Sequence, residues 1–149
     1  MRRILIVLII LCPTLAHADW IQTQTSGFAR ASTTSGNYEL VLSCRRGDGN
    51  LGMTIFDKTL NGRVFQGLPG VMMWIKLADG RTHRQPVDVL MEGPSVSGTF
   101  YVLDFVLNFF RNAESYVVDL PSRGGEALMS GNMRGSGAAR LAFLEQCGL

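Results

Sequence analysis

The chain has 149 residues, and its 14 Lys and Arg residues against 12 Asp and Glu residues give a formal net charge of +2. Arg2 and Arg3 lie in a predicted leader that contains no acidic residue, so the rest of the chain has 14 − 2 = 12 basic and 12 acidic residues and no net charge. This balance, with basic pairs found only beside turn residues, excludes a protein that binds nucleic acid through a basic surface.

The first 18 residues have the pattern of a secretory signal peptide. Arg2 and Arg3 precede an unbroken apolar run over residues 4–11, and Ala16-His17-Ala18 has the small-x-small spacing that signal peptidase recognises. The run is too short to span a bilayer, and no second long run follows, so no transmembrane anchor is predicted after cleavage. We expect Sec-type export, cleavage after Ala18 and a single periplasmic domain over residues 19–149, with release outside the cell as the alternative.

After the leader, glycines separate short runs of β-forming residues, which is typical of antiparallel strands joined by tight turns. Strands are predicted over residues 38–44, 51–56, 71–77, 82–91, 116–120 and 127–133, and residues 99–103 fit a further strand that leads into a helix. Pro86 predicts that its strand is bulged or lies at a sheet edge, because proline has no N–H to donate.

Two segments have helical patterns. Residues 104–112 begin with the acidic Asp104 and place Arg111 in the last turn. Residues 138–146 present a broad apolar face, with Ser136 as the predicted cap and Gly148 as the terminator. Many short strands with one or two short helices predict a single-domain, mainly β protein, an antiparallel β-sandwich.

Two cysteines, Cys44 and Cys147, remain once Cys12 leaves with the leader. An even pair in an oxidising compartment predicts a disulfide, which would close a loop of roughly 100 residues and stabilise the fold by about 4–5 kcal/mol. A metal pair or a catalytic thiol would need further ligands or a base, and His83 is the only histidine after the leader. No metal site and no cofactor are therefore expected.

Residues 47–52 satisfy the G-x-G-x-x-G pattern of a dinucleotide-binding loop. That function requires a helix to begin at the loop, so that its N-terminal amides face the pyrophosphate. Residues 53–56 have the sequence of a strand instead. The pattern therefore predicts a glycine-rich hairpin and no nucleotide.

The strand predicted over residues 71–77 is apolar on both faces. Alternation puts Met72 and Trp74 on one face and Met73 and Ile75 on the other. Two interpretations follow. Either both faces are covered and the strand is central in the core, or the face with Met72 and Trp74 is offered to a partner.

The hairpin after this strand adds a basic cluster, Arg81, His83 and Arg84. Methionine and tryptophan are adaptable anchors at binding surfaces, and apolar anchors beside a charged rim are typical of a recognition patch. Met72 and Trp74 together with the basic cluster are the predicted partner-binding residues.

No nucleophile, base and acid combine into a catalytic motif in the sequence. We therefore expect an exported, non-enzymatic envelope protein that acts as a binding or accessory module for a protein or another envelope component. The alternative is a small periplasmic hydrolase that uses His83 with an acidic residue.

The order of features along the chain resembles a known family. An early Trp20, a β-rich body, a helix-then-strand passage over residues 104–120 and the closing Gly137-Ala138-Ala139 segment before Cys147 carry the resemblance. These features are similar to those of the small periplasmic proteins of the invasion-associated locus B family. The resemblance implies a non-enzymatic envelope protein linked to host interaction or envelope function, and it transfers no functional residues.

Overall fold

The computed structural model describes residues 19–102, 108 and 110–149. The predicted signal peptide and most of the helix predicted over residues 104–112 lie outside the described residues, although Asn108 and residues 110–112 are helical. The described residues form two antiparallel sheets that share one buried core, which confirms the predicted single-domain β-sandwich.

The larger sheet has six strands, and its first four are connected in sequence order by hairpin turns. In spatial order it contains β1 (Ile21–Thr25), β2 (Phe28–Ser35), β3 (Tyr38–Arg45), β4 (Asn50–Asp57), β8 (Ser95–Tyr101) and β7 (Leu90–Glu92). The glycine-rich segment after β3 is the turn of the β3–β4 hairpin, as predicted.

The smaller sheet has four strands. In spatial order it contains β10 (Glu126–Asn132), β9 (Ala113–Leu120), β5 (Gly70–Leu77) and β6 (Thr82–Asp88). Two short 3-10 turns, Arg63–Phe65 and Pro121–Arg123, precede β5 and β10, and the chain ends in the helix α1 (Ser136–Cys147). Because β6 is an edge strand, the position predicted from Pro86 is confirmed.

The strand predicted over residues 82–91 is two strands in different sheets. The chain leaves the four-stranded sheet after Asp88 and joins the six-stranded sheet at Leu90, and the Val89 N–H donates to Pro69 O (3.1 Å) at the crossing. Gly98 of β8 lies against this crossing, where a Cβ would overlap the carbonyl oxygen of Asp88. Glycine is therefore required at Gly98 by the close approach of the backbone.

Alternation explains which side chains form the core. Met53 and Ile55 of β4 and Met73 and Ile75 of β5 are buried, while their sequence neighbours point outward. The helix contacts β1, β2 and β3, and small side chains are frequent at this contact beside the buried Phe143. Ala29, Ala31, Ala139 and Ala142 are all buried there.

The disulfide between Cys44 and Cys147 is present, as predicted. It joins the inner face of β3 to the last turn of α1, with a Cα–Cα distance of 6.0 Å. The capping prediction for Ser136 is wrong. The helix begins at Ser136 itself after Gly135, and the Ser136 hydroxyl donates instead to Phe110 O (2.7 Å) in a buried position.

Candidate functional site

The candidate site is the outer face of the four-stranded sheet. Residues paired directly across antiparallel strands project from the same side of the sheet. Met72 pairs with Pro86 and Asp119, and Trp74 pairs with Arg84 and Val117. We call this surface the Trp74 face, and it consists of Met72, Trp74, Arg84, Pro86, Val117 and Asp119.

Met72 and Trp74 are half-buried on this outer face, whereas Met73 and Ile75 are completely buried on the inner one. Among the described residues, α1 packs on the other sheet, and the 3-10 turn Pro121–Arg123 contacts β5 and lines a cavity beside Met72. Of the two interpretations of this strand, the structure therefore supports the one that leaves Met72 and Trp74 accessible.

A short hydrogen bond fixes the tryptophan. The Trp74 Nε1–H donates to Asp119 Oδ2 on the neighbouring strand β9, at 2.6 Å. The bond satisfies the polar edge of the indole and limits its rotation, so its apolar surface is presented in one orientation. A side chain that is already ordered loses less conformational entropy when a partner binds.

Beside Met72 lies a cavity of about 270 Å³. Its walls include Pro69, Pro86 and Pro121, and Asp88 is the charged residue at its margin. Proline rings are rigid, so these walls change little on binding. The cavity is slightly smaller than the roughly 300–1,000 Å³ of small-molecule sites. It suits a single apolar side chain better than a cofactor.

The predicted basic cluster is divided by the fold. Arg84 shares the Trp74 face. Arg81 lies at the hairpin end, where its guanidinium pairs with Asp79 (Nε–Oδ2 2.8 Å), and the hydrogen bonds from Arg81 lower the pKa of Asp79. His83 projects from the other face of β6, opposite Ile75. The structure therefore brings Met72, Trp74 and Arg84 together and separates His83 from them.

The surroundings of His83 are those of a packed side chain. Burial lowers its pKa, and a hydrogen bond with the Gln85 side chain opposes that shift. His83 does not line the cavity beside Met72, the cavity of about 380 Å³ near Ser43 and Asn50, or the cavity of about 750 Å³ near Leu68 and Leu90. Among the described residues, no group of three His, Cys, Asp or Glu side chains has a geometry that could hold a metal ion.

Sequence reasoning missed Val117, Asp119 and Pro121 as parts of the site. Alternation over residues 116–120 predicts that Val117 and Asp119 share a face, but it does not predict which strand lies beside them. The pairing of β9 with β5 brings Trp74 within hydrogen-bonding distance of Asp119, which is 45 positions away in the sequence. Such a pairing leaves no local signal in the sequence.

In the part of the chain that the structure describes, no helix has the length and apolarity needed to cross a membrane. The chain matches no protein-family model, no curated protein and no solved structure, so its site is interpreted from its own geometry.

Proposed function

We propose that this protein is an exported, non-enzymatic envelope protein that acts as a binding module through the Trp74 face. The observation that carries the proposal is the placement of Met72 and Trp74, half-buried on an outer face with the indole held by Asp119. Export is supported by the signal-peptide pattern and by the Cys44–Cys147 disulfide, which is compatible with an oxidising compartment. The same role is implied by the resemblance to the invasion-associated locus B family.

The chemistry of the Trp74 face favours a protein partner. The cavity beside Met72 has room for one apolar side chain. Trp74 lies two residues further along β5, on the same face as Met72. The exposed Arg84 lies opposite Trp74 and offers a cation to an acidic group of the partner. Tryptophan and arginine are the residue types that most often dominate the energy of protein interfaces.

The test is affinity capture from a periplasmic extract with the exported protein, followed by affinity measurement with the purified partner. Trp74→Ala and Met72→Ala should each weaken binding, by about 30-fold for a dominant anchor. Tyr101→Ala is the matched control. Tyr101 is 78% exposed on the six-stranded sheet, so its removal should leave binding unchanged.

The melting temperature of each variant separates binding from stability. Trp74 is only half-buried, so Trp74→Ala should lower the melting temperature less than the loss of a fully buried side chain such as Ile75. Unchanged affinity in both face variants, or equal loss in Tyr101→Ala, would contradict the proposal. Hydrolysis of an ester or peptide substrate that disappears in His83→Ala would favour the hydrolase alternative.

A further inference from the structure

The edge strand β1 of the six-stranded sheet, although α1 contacts it, lacks the proline, the charge and the register shift that protect other sheet edges. Among the described strands β1 pairs only with β2, and its five residues, Ile21–Thr25, are all exposed and uncharged. The other edges are guarded in the ways that natural sheets use. β6 contains Pro86, β7 is three residues long and ends at Glu92, and β10 has a register shift between Ala127 and Met129. The β1–β2 pairing is regular throughout.

Both ends of β1 are held in place. Trp20, which precedes the strand, is 2% exposed, and its Nε1–H donates to Asn132 O at 3.2 Å. The Arg134 side chain forms an ion pair with Asp19 at 3.1 Å. After the strand, the Gly27 N–H donates to Gln146 Oε1 at 3.3 Å. The exposed edge is therefore ordered before any partner arrives.

The register of the β1–β2 hairpin shows which backbone groups of β1 are free. Thr25 pairs with Phe28 across a two-residue turn, so this closing pair exchanges hydrogen bonds. Bonded pairs alternate along an antiparallel ladder. Thr23 and Ile21 therefore also bond to β2, and the N–H and C=O groups of Gln22 and Gln24 point away from the sheet. Trp20 belongs to the same set of alternate residues as Gln22 and Gln24, and its N–H donates to Arg134 O at 3.0 Å instead of to β2.

We propose that β1 binds β1 of a second copy of this chain, antiparallel, with a two-fold axis at Thr23. In this register Gln22 of one copy lies opposite Gln24 of the other, and each such pair exchanges both backbone hydrogen bonds. Thr23 lies opposite Thr23 of the second copy as a non-hydrogen-bonded pair, with a Cα–Cα distance of about 4.5 Å. The two six-stranded sheets become one continuous sheet.

The sequence of β1 is complementary to itself in this register. Glutamine faces glutamine, threonine faces threonine, and the absence of charge removes like-charge repulsion at the axis. Ile21, which is 67% exposed, lies opposite Thr25 of the second copy and is partly covered. A shift by one residue would oppose the free groups to groups already bonded to β2, and a shift by two would leave one bonded pair within the strand instead of two, so the two-fold axis at Thr23 fits the edge best. This self-complementarity favours a second copy over an unrelated extended peptide.

The first experiment measures the dimer dissociation constant of the exported protein by sedimentation over a concentration series. Gln24→Pro removes an outward N–H and leaves the β1–β2 ladder intact, because proline is tolerated where its nitrogen faces away from the ladder. The dissociation constant should rise by about tenfold to a hundredfold. Gln24→Thr changes the same side chain but retains the N–H, and it should dimerise like the unaltered protein.

The second experiment tests the register and does not depend on the proline variant. Thr23→Cys should oxidise to a covalent dimer, because the predicted Cα–Cα distance at the axis, about 4.5 Å, lies within the range of disulfides. Gln22→Cys should not form a covalent dimer, because Gln22 lies opposite Gln24 of the second copy, and the two cysteines would be displaced from each other along the strands. An unaltered protein that stays monomeric at all concentrations would overturn the proposal. Dimerisation unaffected by Gln24→Pro, or equal cross-linking through Gln22→Cys, would also overturn it.

Discussion

The inner face of the six-stranded sheet is covered by two different structural elements, a helix and a second sheet. Over β1, β2 and β3 lies the helix α1, and its contact combines small side chains such as Ala31 and Ala139 with the buried Phe143 and has a disulfide at the far end. The four-stranded sheet extends from β2 to β8, and its contact uses large side chains such as Met73 and Ile75. We refer to these regions as the helix-covered half and the sheet-covered half.

The comparison shows two ways to hold a covering layer in place. A helix of 12 residues is marginal by itself, and its buried alanines remove little apolar surface from water, so the helix-covered half relies on Phe143 and on a covalent link. The sheet-covered half depends on the burial of large side chains and on the strand pairing of β5 with its two neighbours. The two halves should therefore respond differently to loss of the disulfide and to loss of side-chain volume.

The largest effect should follow removal of the disulfide. Replacing both Cys44 and Cys147 with Ala frees a loop that spans 103 positions of sequence, and the chain-entropy estimate for a loop of about 100 residues is about 4–5 kcal/mol. Amide hydrogen exchange should rise more in α1 than in β5. Equal loss of protection in both elements would show that the halves do not differ in this way.

The next effect should come from Ile75→Ala in the sheet-covered half. Ile75 is completely buried, and truncation of such a side chain typically costs about 2–5 kcal/mol in the free energy of unfolding. Urea denaturation measures the loss. Met72→Ala, on the outer face of the same strand, is the matched control and should cost less. A larger loss for Met72→Ala would contradict the assignment of the two faces.

A smaller effect should follow enlargement of the helix-covered half. Ala31→Leu adds three carbons beneath α1, where the side chain is completely buried, and overpacking typically costs about 1–3 kcal/mol. Ser32→Leu, on the opposite face of β2, is the control and should change stability little. A neutral Ala31→Leu variant would mean that the helix is free to move away from the sheet.

The smallest effect concerns the loop that leads into the sheet-covered half. The Asp57 carboxylate accepts hydrogen bonds from Thr59 Oγ1 (2.7 Å), Thr59 N (2.9 Å) and Gly62 N (3.0 Å), and the bond from the Thr59 hydroxyl is the main cause that lowers its pKa from 3.8. A lowered folded-state pKa gives stability that is present above 3.8 and is lost as the pH falls through the folded pKa.

The stability difference between the unaltered protein and Asp57→Asn should therefore be present at pH 7 and shrink below pH 3.8. Thermal unfolding of both proteins across this range measures it. A difference that does not change with pH would show that the asparagine acts through shape and not through charge.

The sequence by itself predicted the features that depend on neighbouring residues. Runs of β-forming residues between glycines identified β3, β4, β5, β9 and β10, the Asp79-Gly80 turn joined β5 to β6, and Pro86 indicated an edge. The disulfide followed from cysteine parity. β1 and β2 were missed, because Ala, Ser, Thr and Gln give them no strong alternation of large apolar side chains.

Only the tertiary structure decided the features that depend on distant pairing. The division of residues 82–91 between two sheets, the separation of His83 from Trp74 and the bond from Trp74 to Asp119 each require knowledge of which strand lies beside which. The helix-covered half shows the same limit, since Ala31 is buried only because α1 returns from the end of the chain. Periodicity is a property of adjacent residues, whereas strand order and layer packing are set by the burial of the whole chain.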